Sequence, residues 1–187
     1  MDNRPDERIS SVQEMLASVY PTRISKNIMG ELYSKLIINS CINSLGVIGG
    51  VTLGKLLANR EARKIFFELM REAMSVAQAM QIKVEPAGGG KLDYMRLLAE
   101  DGILADLKRH LTIRIIGFKY RRIKSSSLQS LERDRRTEID FLNGYICDKR
   151  KAHGVKTPMN DAAWTMVREI EDRRRKMSLD NLQELLT

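Results

Sequence analysis

The sequence is poor in cysteine, histidine, proline and aromatic residues, and each shortage removes a class of explanation. Its 187 residues include two cysteines, two histidines and four prolines, with aromatics at 5%. Cys41 and Cys147 stand far apart and fit no C-x-x-C pattern. Neither His110 nor His153 lies beside a cysteine or another histidine, so metal-ligand spacing is missing and no metal site is expected. Two unpaired thiols suit a reducing compartment. The first eight residues, Met1 to Arg8, are polar and contain no apolar signal-peptide core. One run, Leu36 to Gly54, carries no charge. Its Asn39, Ser40, Asn43, Ser44 and four glycines would be costly in hydrocarbon, which argues against a membrane span. The expected setting is therefore soluble and cytoplasmic.

What is present points to helix. Hydrophobic residues make up 43% and charged residues 30% of the chain, a globular balance rich in Leu, Ala, Met, Glu, Lys and Arg. The net charge of +8 is compatible with nucleic acid, an anionic small substrate or plain solubility. Residues 6–18 read as an amphipathic helix with Ile9, Val12, Leu16 and Val19 on one side. Pro21 stops it, and Thr22–Ser25 reads as a short strand with no sheet to join, like the edge of something larger. From residue 27 onward the expectation is all-α. Asn27 caps a helix to about Leu45, and Arg60–Gln81 is the longest periodic segment. Pro86 and Gly88-Gly89-Gly90 form a loop, and helices cover 92–99 and 103–120. Thr137 to Asp140 resembles a capping box opening a helix to His153. Asn160 caps a long helix to Met177, and Ser178 a short last one.

Three patterns bear on chemistry. Gly49-x-x-x-x-Gly54-Lys55 nearly spells a phosphate loop, but Leu56 stands where a hydroxyl should hold magnesium and a helix precedes it instead of a strand. Two basic clusters, one of Arg114, Lys119, Arg121, Arg122 and Lys124 with Phe118 and Tyr120 interleaved, the other Arg173–Lys176, raise a nucleic-acid surface against a solvated helix face. The third is the most informative. Lys35, Asn39 and Asn43 recur every four residues, so they share one helical stripe that drifts by only about 40° per step. Asn and Ser are mediocre helix formers, and an enclosed polar stripe costs free energy unless its groups find partners. Such a stripe is a site candidate; its plain alternative is interhelical hydrogen bonding with a snorkelling lysine. A second cluster spans Ser125 to Asp140 and includes Glu138, for which helix-dipole compensation is the plain reading.

Together these clusters resemble the C-terminal helical domain of the ketopantoate reductase (2-dehydropantoate 2-reductase) family. The stretch ELYSKLIINSCIN (31–43) resembles the pattern around its lysine. KSSSLQSLER (124–133) with TEIDFLNGY (137–145) resembles its second signature, and HGVKTPMN (153–160) a third. The resemblance covers roughly residues 5 to 172. It implies an all-α domain like the C-terminal domain of 6-phosphogluconate dehydrogenase over residues 26–187, preceded by a nucleotide-binding remnant, one helix and one strand, over residues 1–25.

By the same resemblance Lys35 is the general acid that protonates a keto oxygen as hydride reaches its carbon. Asn39 and Asn43 hold substrate oxygens, Ser126 binds the substrate carboxylate, and Glu138 contacts substrate and tunes the lysine. The physics suits these roles, because an ammonium beside a developing alkoxide stabilises charge that exists only in the transition state. The implied reaction is NADPH-dependent reduction of a small 2-keto acid, 2-dehydropantoate by default, in pantothenate biosynthesis. Departures are Ser44 where the family often has proline, Ser127 where it has methionine, and an extended run over 111–122. The largest is the lack of any G-x-G-x-x-G turn after a strand, the element that cradles a dinucleotide. This implies a truncated gene product or an isolated domain, one that does not turn over substrate or hold NADP(H) tightly alone. The alternatives are a helical module that homodimerises through its bare face and, behind it, a basic nucleic-acid binder.

Overall fold

The computed structural model describes residues 7–87, 92–99 and 102–186; the elements assigned among them are helices, with one isolated antiparallel bridge between Ala87 and Leu92. In chain order the helices are α1 (Glu7–Ala17), α2 (Ile28–Gly49), α3 (Leu53–Ala58), α4 (Arg60–Ala79), α5 (Tyr94–Ala99), α6 (Ile103–Lys119), α7 (Ser126–Leu131), α8 (Asn143–His153), α9 (Pro158–Glu171) and α10 (Asn181–Glu184). A 3-10 turn, Ile139–Phe141, precedes α8. The triple-glycine loop and the first six residues lie outside the described residues.

The uncharged run is explained by α2, which is the axis of the fold. It packs against α3, α4, α7, α9, α10 and the 3-10 turn, and thirteen of its residues are buried, so charges have no room along most of its length. Two of its buried hydroxyls bond within the helix, Ser40 to the Ile37 carbonyl at 2.8 Å and Ser44 to the Ser40 carbonyl at 2.5 Å. Asn27 caps its start by accepting from Gly30 N–H at 3.1 Å. Gly50, at φ +61°, ends it in the left-handed conformation that glycine adopts without penalty. α4 runs antiparallel beside it: Tyr33 meets Met80 at one end, and Cys41 Sγ donates to the Phe66 carbonyl midway. Phe66, Leu69 and Met70 on α4 are at most 2% exposed, each worth about 1.5–3 kcal/mol of burial. No helix among the described residues is long and apolar enough to cross a membrane.

Several expectations need correction. Residues 21–25 form no strand, because a strand exists only through a ladder and no neighbour is present among the described residues. α1 forms, yet it buries none of its residues, and Ile9, Val12 and Leu16 remain about half exposed. Thr137–Asp140 does not act as a capping box. The Thr137 N–H already donates to Glu171 at 2.6 Å, and Asp140 accepts from Trp164 Nε1 at 2.7 Å instead of reaching back. The chain makes the 3-10 turn there and α8 starts only at Asn143. Asn160 is not a cap either. Pro158 opens α9 and Asn160 turns inward, fully buried, donating to the Leu69 carbonyl and to Glu72. The Glu72 carboxylate does the capping, accepting from Met159 N–H and Asn160 N–H at 2.8 Å each, where a helix N-terminus favours negative charge.

Candidate functional site

Along the stripe on α2 the side chains pass from open to closed. Lys35 is exposed, Asn39 half-buried and Asn43 only 4% exposed. Gly46 falls on the same stripe and is fully covered. The cover is α7. Its cap residue Ser125 sits where a side chain on Gly46 would be: a Cβ there would lie 2.3 Å from Ser125 Oγ and 2.8 Å from its Cβ. This close approach sets the next residue, Ser126, whose hydroxyl donates to Asn43 Oδ1 at 3.2 Å. Two residues 83 positions apart in sequence are thereby joined, and Asn43 Nδ2 keeps no partner among the described residues. We expect Gly46→Ala to push α7 off α2 and cost about 1–3 kcal/mol by overpacking. Urea unfolding with the Asn43 carboxamide resonances as a local probe would check it; wild-type stability with an unmoved Asn43 signal would contradict the close-packing account.

The rotation of α2 that presents Lys35 outward is held from the other side. Tyr94 donates to the Ser34 carbonyl at 2.7 Å and accepts from the Ser34 hydroxyl at 3.2 Å. Tyr33 stacks edge-on with Tyr145, their hydroxyls 3.2 Å apart. Burial raises the phenols of Tyr33 and Tyr94, that of Tyr94 to about 12. They are therefore neutral anchors.

Glu138 is exposed, just ahead of the 3-10 turn that packs on α2. Its carboxylate, the Lys35 ammonium and the Asn39 carboxamide have no partner among the described residues. Sequence reasoning missed what holds this turn. Glu171, its side chain 2% exposed, grips the Thr137 N–H and pairs with Arg168 at 3.0 Å. Asp140 is held by Trp164 and, at 3.5 Å, by Arg168. No local pattern marks Glu171, because its partner lies 34 residues away. The structure thus joins Asn43 to Ser126 directly, keeps Lys35 and Asn39 in line with them, and sets Glu138 on an element that touches the same helix. The enclosure expected around the lysine is not provided by these residues.

The competing patterns find plainer roles. The Gly49–Lys55 stretch is the bend between α2 and α3: Leu56 is buried, Arg121 presses on Gly54 and Met177 on Gly50, leaving no cradle for phosphates. Of the second basic cluster, Arg173 pairs with Asp134, Arg174 with Asp172, and Arg175 with Glu169 and Glu184. In the first, Lys124 pairs with Glu132 and Arg121 lies over the Phe118 ring. Burial pushes the Cys41 thiol up to about 12, and that of Cys147 also upward, so neither is a ready nucleophile. His110 accepts from Arg63 Nε at 3.2 Å; burial and then that guanidinium hold it below the usual histidine range. Arg63 in turn caps the end of α3 by donating to the Leu57, Ala58 and Asn59 carbonyls.

Comparison with known proteins places this geometry. Residues 27–171 match the family described as "Ketopantoate reductase PanE/ApbA C terminal". The chain is 30% identical over 150 residues to the 2-dehydropantoate 2-reductase of Pyrococcus horikoshii, covering 80% of this chain and 43% of that protein. A PanE/ApbA family ketopantoate reductase from Ralstonia eutropha superposes with a TM-score of 0.72 at 28% identity, over 92% of this chain and 51% of that one. D-mandelate dehydrogenase, solved with NADH and anilino(oxo)acetate, shares the fold at a TM-score of 0.68 and 22% identity, over 90% of this chain and 50% of its own. The chain spans about half the length of the relatives it matches.

Proposed function

Since the chain belongs to the ketopantoate reductase family, through the C-terminal part of that family, we propose that residues 26–187 are the substrate-binding, proton-donating half of a reductase acting on a small 2-keto acid, 2-dehydropantoate by family default. Residues 1–25 are then the last part of a nucleotide-binding domain, which accounts for a formed but uncovered α1. The observation that carries the reading is the polar stripe on a largely buried helix, closed at one end by Ser126 on Asn43 and open at Lys35.

In this reading the substrate lies along the stripe. Ser126 holds its carboxylate, and Asn39 and the free Nδ2 of Asn43 hold its oxygens. Lys35 Nζ gives a proton to the keto oxygen as the adjacent carbon gains hydride, so the product is an alcohol and the lysine is left neutral until solvent reprotonates it. The ammonium also faces the negative charge that grows on that oxygen, a stabilisation absent from the ground state. Glu138, set by Glu171, contacts the substrate and restrains the ammonium. The hydride donor of the family is NADPH. The Gly49–Lys55 bend does not fit it, and the other half of the enzyme is its holder in this reading. Two buried, unpaired thiols agree with a cytoplasmic setting.

The test is to join the chain to a nucleotide-binding half from the family and follow NADPH absorbance. We expect oxidation that depends on 2-dehydropantoate, and none from the chain alone; turnover by the chain alone would refute the assignment of halves. A second reading follows from the uncovered apolar face of α1, which a second copy could cover, giving a homodimeric interaction module. Sedimentation at increasing concentration separates the two.

A further inference from the structure

α6 is apolar on two opposite sides. One side, with Ala105, Ile113 and Gly117, is buried, Gly117 lying against Leu57 of α3. The other carries Leu104, Leu107, Leu111, Ile115 and Phe118, which are 82, 65, 54, 60 and 68% exposed. Leu104, Leu111 and Phe118 are spaced by seven, with Leu107 between, which is the seam that one helix offers another. It runs about 21 Å along the helix. One edge opens into a groove of about 730 Å³ between α4 and α6, with Phe67, Ile103 and Leu186 contributing apolar surface.

This face shares no residue with the candidate site. The start of α4, which lines the groove, packs near Cys41 of α2, whereas Lys35 belongs to the end that meets Met80 and the Asn43 side chain bonds to Ser126 of α7. The charges around it are one-sided. Arg60 and Lys64 line the groove without an anionic partner among the described residues, while Glu68 and Asp106 are already paired with Arg71 and Arg109. Arg114 flanks the seam and is likewise unpaired, and Lys119 lies over the Tyr120 ring. In a coiled-coil contact the flanking charges choose the partner. A second copy pairing seam to seam would set one basic flank against another. We propose that the α6 seam and its groove dock an amphipathic helix of a partner protein whose apolar stripe is flanked by glutamate or aspartate. None of these residues belongs to the α2 stripe, so the docking site stands or falls separately from the reductase reading.

The probe is a designed helical peptide of three heptads with leucine at the seam and glutamate on its flanks, beside a twin with lysine flanks. Fluorescence anisotropy on the full chain is expected to show binding of the acidic peptide that weakens with salt. The lysine twin, and the acidic peptide against a Leu107→Glu, Leu111→Glu variant, should bind at least about tenfold more weakly. Arg60→Glu with Lys64→Glu should reverse the preference between the peptides. Because all four positions are at the surface or groove rim, thermal melts of the variants should match the parent. Equal binding of both peptides, or of neither, overturns the proposal. So does a concentration-dependent dimer abolished by Leu111→Glu, which gives the face to a second copy, or adsorption to phosphatidylglycerol vesicles lost in that variant, which gives it to lipid.

Discussion

Lys35→Ala, in the chain joined to a nucleotide-binding half, should lower kcat for 2-dehydropantoate by about 10²–10⁴-fold, the usual contribution of a positioned general acid. KM should change much less. In the proposed mechanism the ammonium works mainly on charge that appears as hydride arrives, so its loss should fall on the transition state and not on substrate binding. Two features make this a clean site to test. Lys35 is exposed and makes no ion pair with a described residue, so its removal leaves no buried carboxylate stranded. The inward neighbours Tyr33 and Ser34 keep their bonds to Tyr145 and Tyr94, so α2 should not rotate. Lys35→Arg sharpens the result. A guanidinium restores the charge but does not release its proton, so KM should stay near the parent value while kcat remains low. A Lys35→Ala enzyme within threefold of the parent kcat would remove the lysine from the mechanism.

The helices were legible because helix-forming residues and apolar periodicity act locally. Asn27 as cap and the starts of α4 and α5 follow from side chains within one turn of where they act. Asn39 and Asn43 were legible for a related reason: amides are poor choices in a helix with no charge nearby, so their presence needs another cause. The failures share the opposite property. Thr137 and Asp140 spell a capping box, and in an isolated peptide they would make one. Glu171 and Trp164 take the same groups from another helix, and the Glu171 carboxylate, its side chain only 2% exposed, is expensive to leave unmet. The strand over 22–25 was a local preference with no ladder to realise it. The role of Gly46 was likewise invisible, since it depends on Ser125 arriving from a separate segment. What remained unreadable is tertiary: which polar side chains point inward, and what they meet.

Asn160 is the case with the largest expected effect on stability. Its carboxamide is fully buried and uses both ends: Nδ2 donates to the Leu69 carbonyl at 3.2 Å and to Glu72 Oε2 at 2.7 Å, and Oδ1 accepts from Asn143 Nδ2 at 3.0 Å. α4, α8 and α9 are tied together at this one side chain. Asn143 has no slack to absorb a loss, because its own Oδ1 is already buried without a partner among the described residues. Asn160→Ala leaves the Asn143 amide donor unmet, at about 1–3 kcal/mol when buried. It also takes one bond each from the Leu69 carbonyl and from Glu72 Oε2, which keeps the Asn160 backbone N–H, so we expect a loss of about 2–4 kcal/mol in urea unfolding, a large share of the roughly 5–15 kcal/mol that holds a domain. Asn160→Asp separates bonding from volume. It keeps the size and the acceptor for Asn143 but sets a second carboxylate against Glu72. At neutral pH it should therefore be at least as unstable as the alanine variant, and it should regain stability as acid protonates the new carboxyl. A loss under 1 kcal/mol in Asn160→Ala, or an Asn160→Asp variant insensitive to acid, would mean that apolar packing and not this amide joins the three helices.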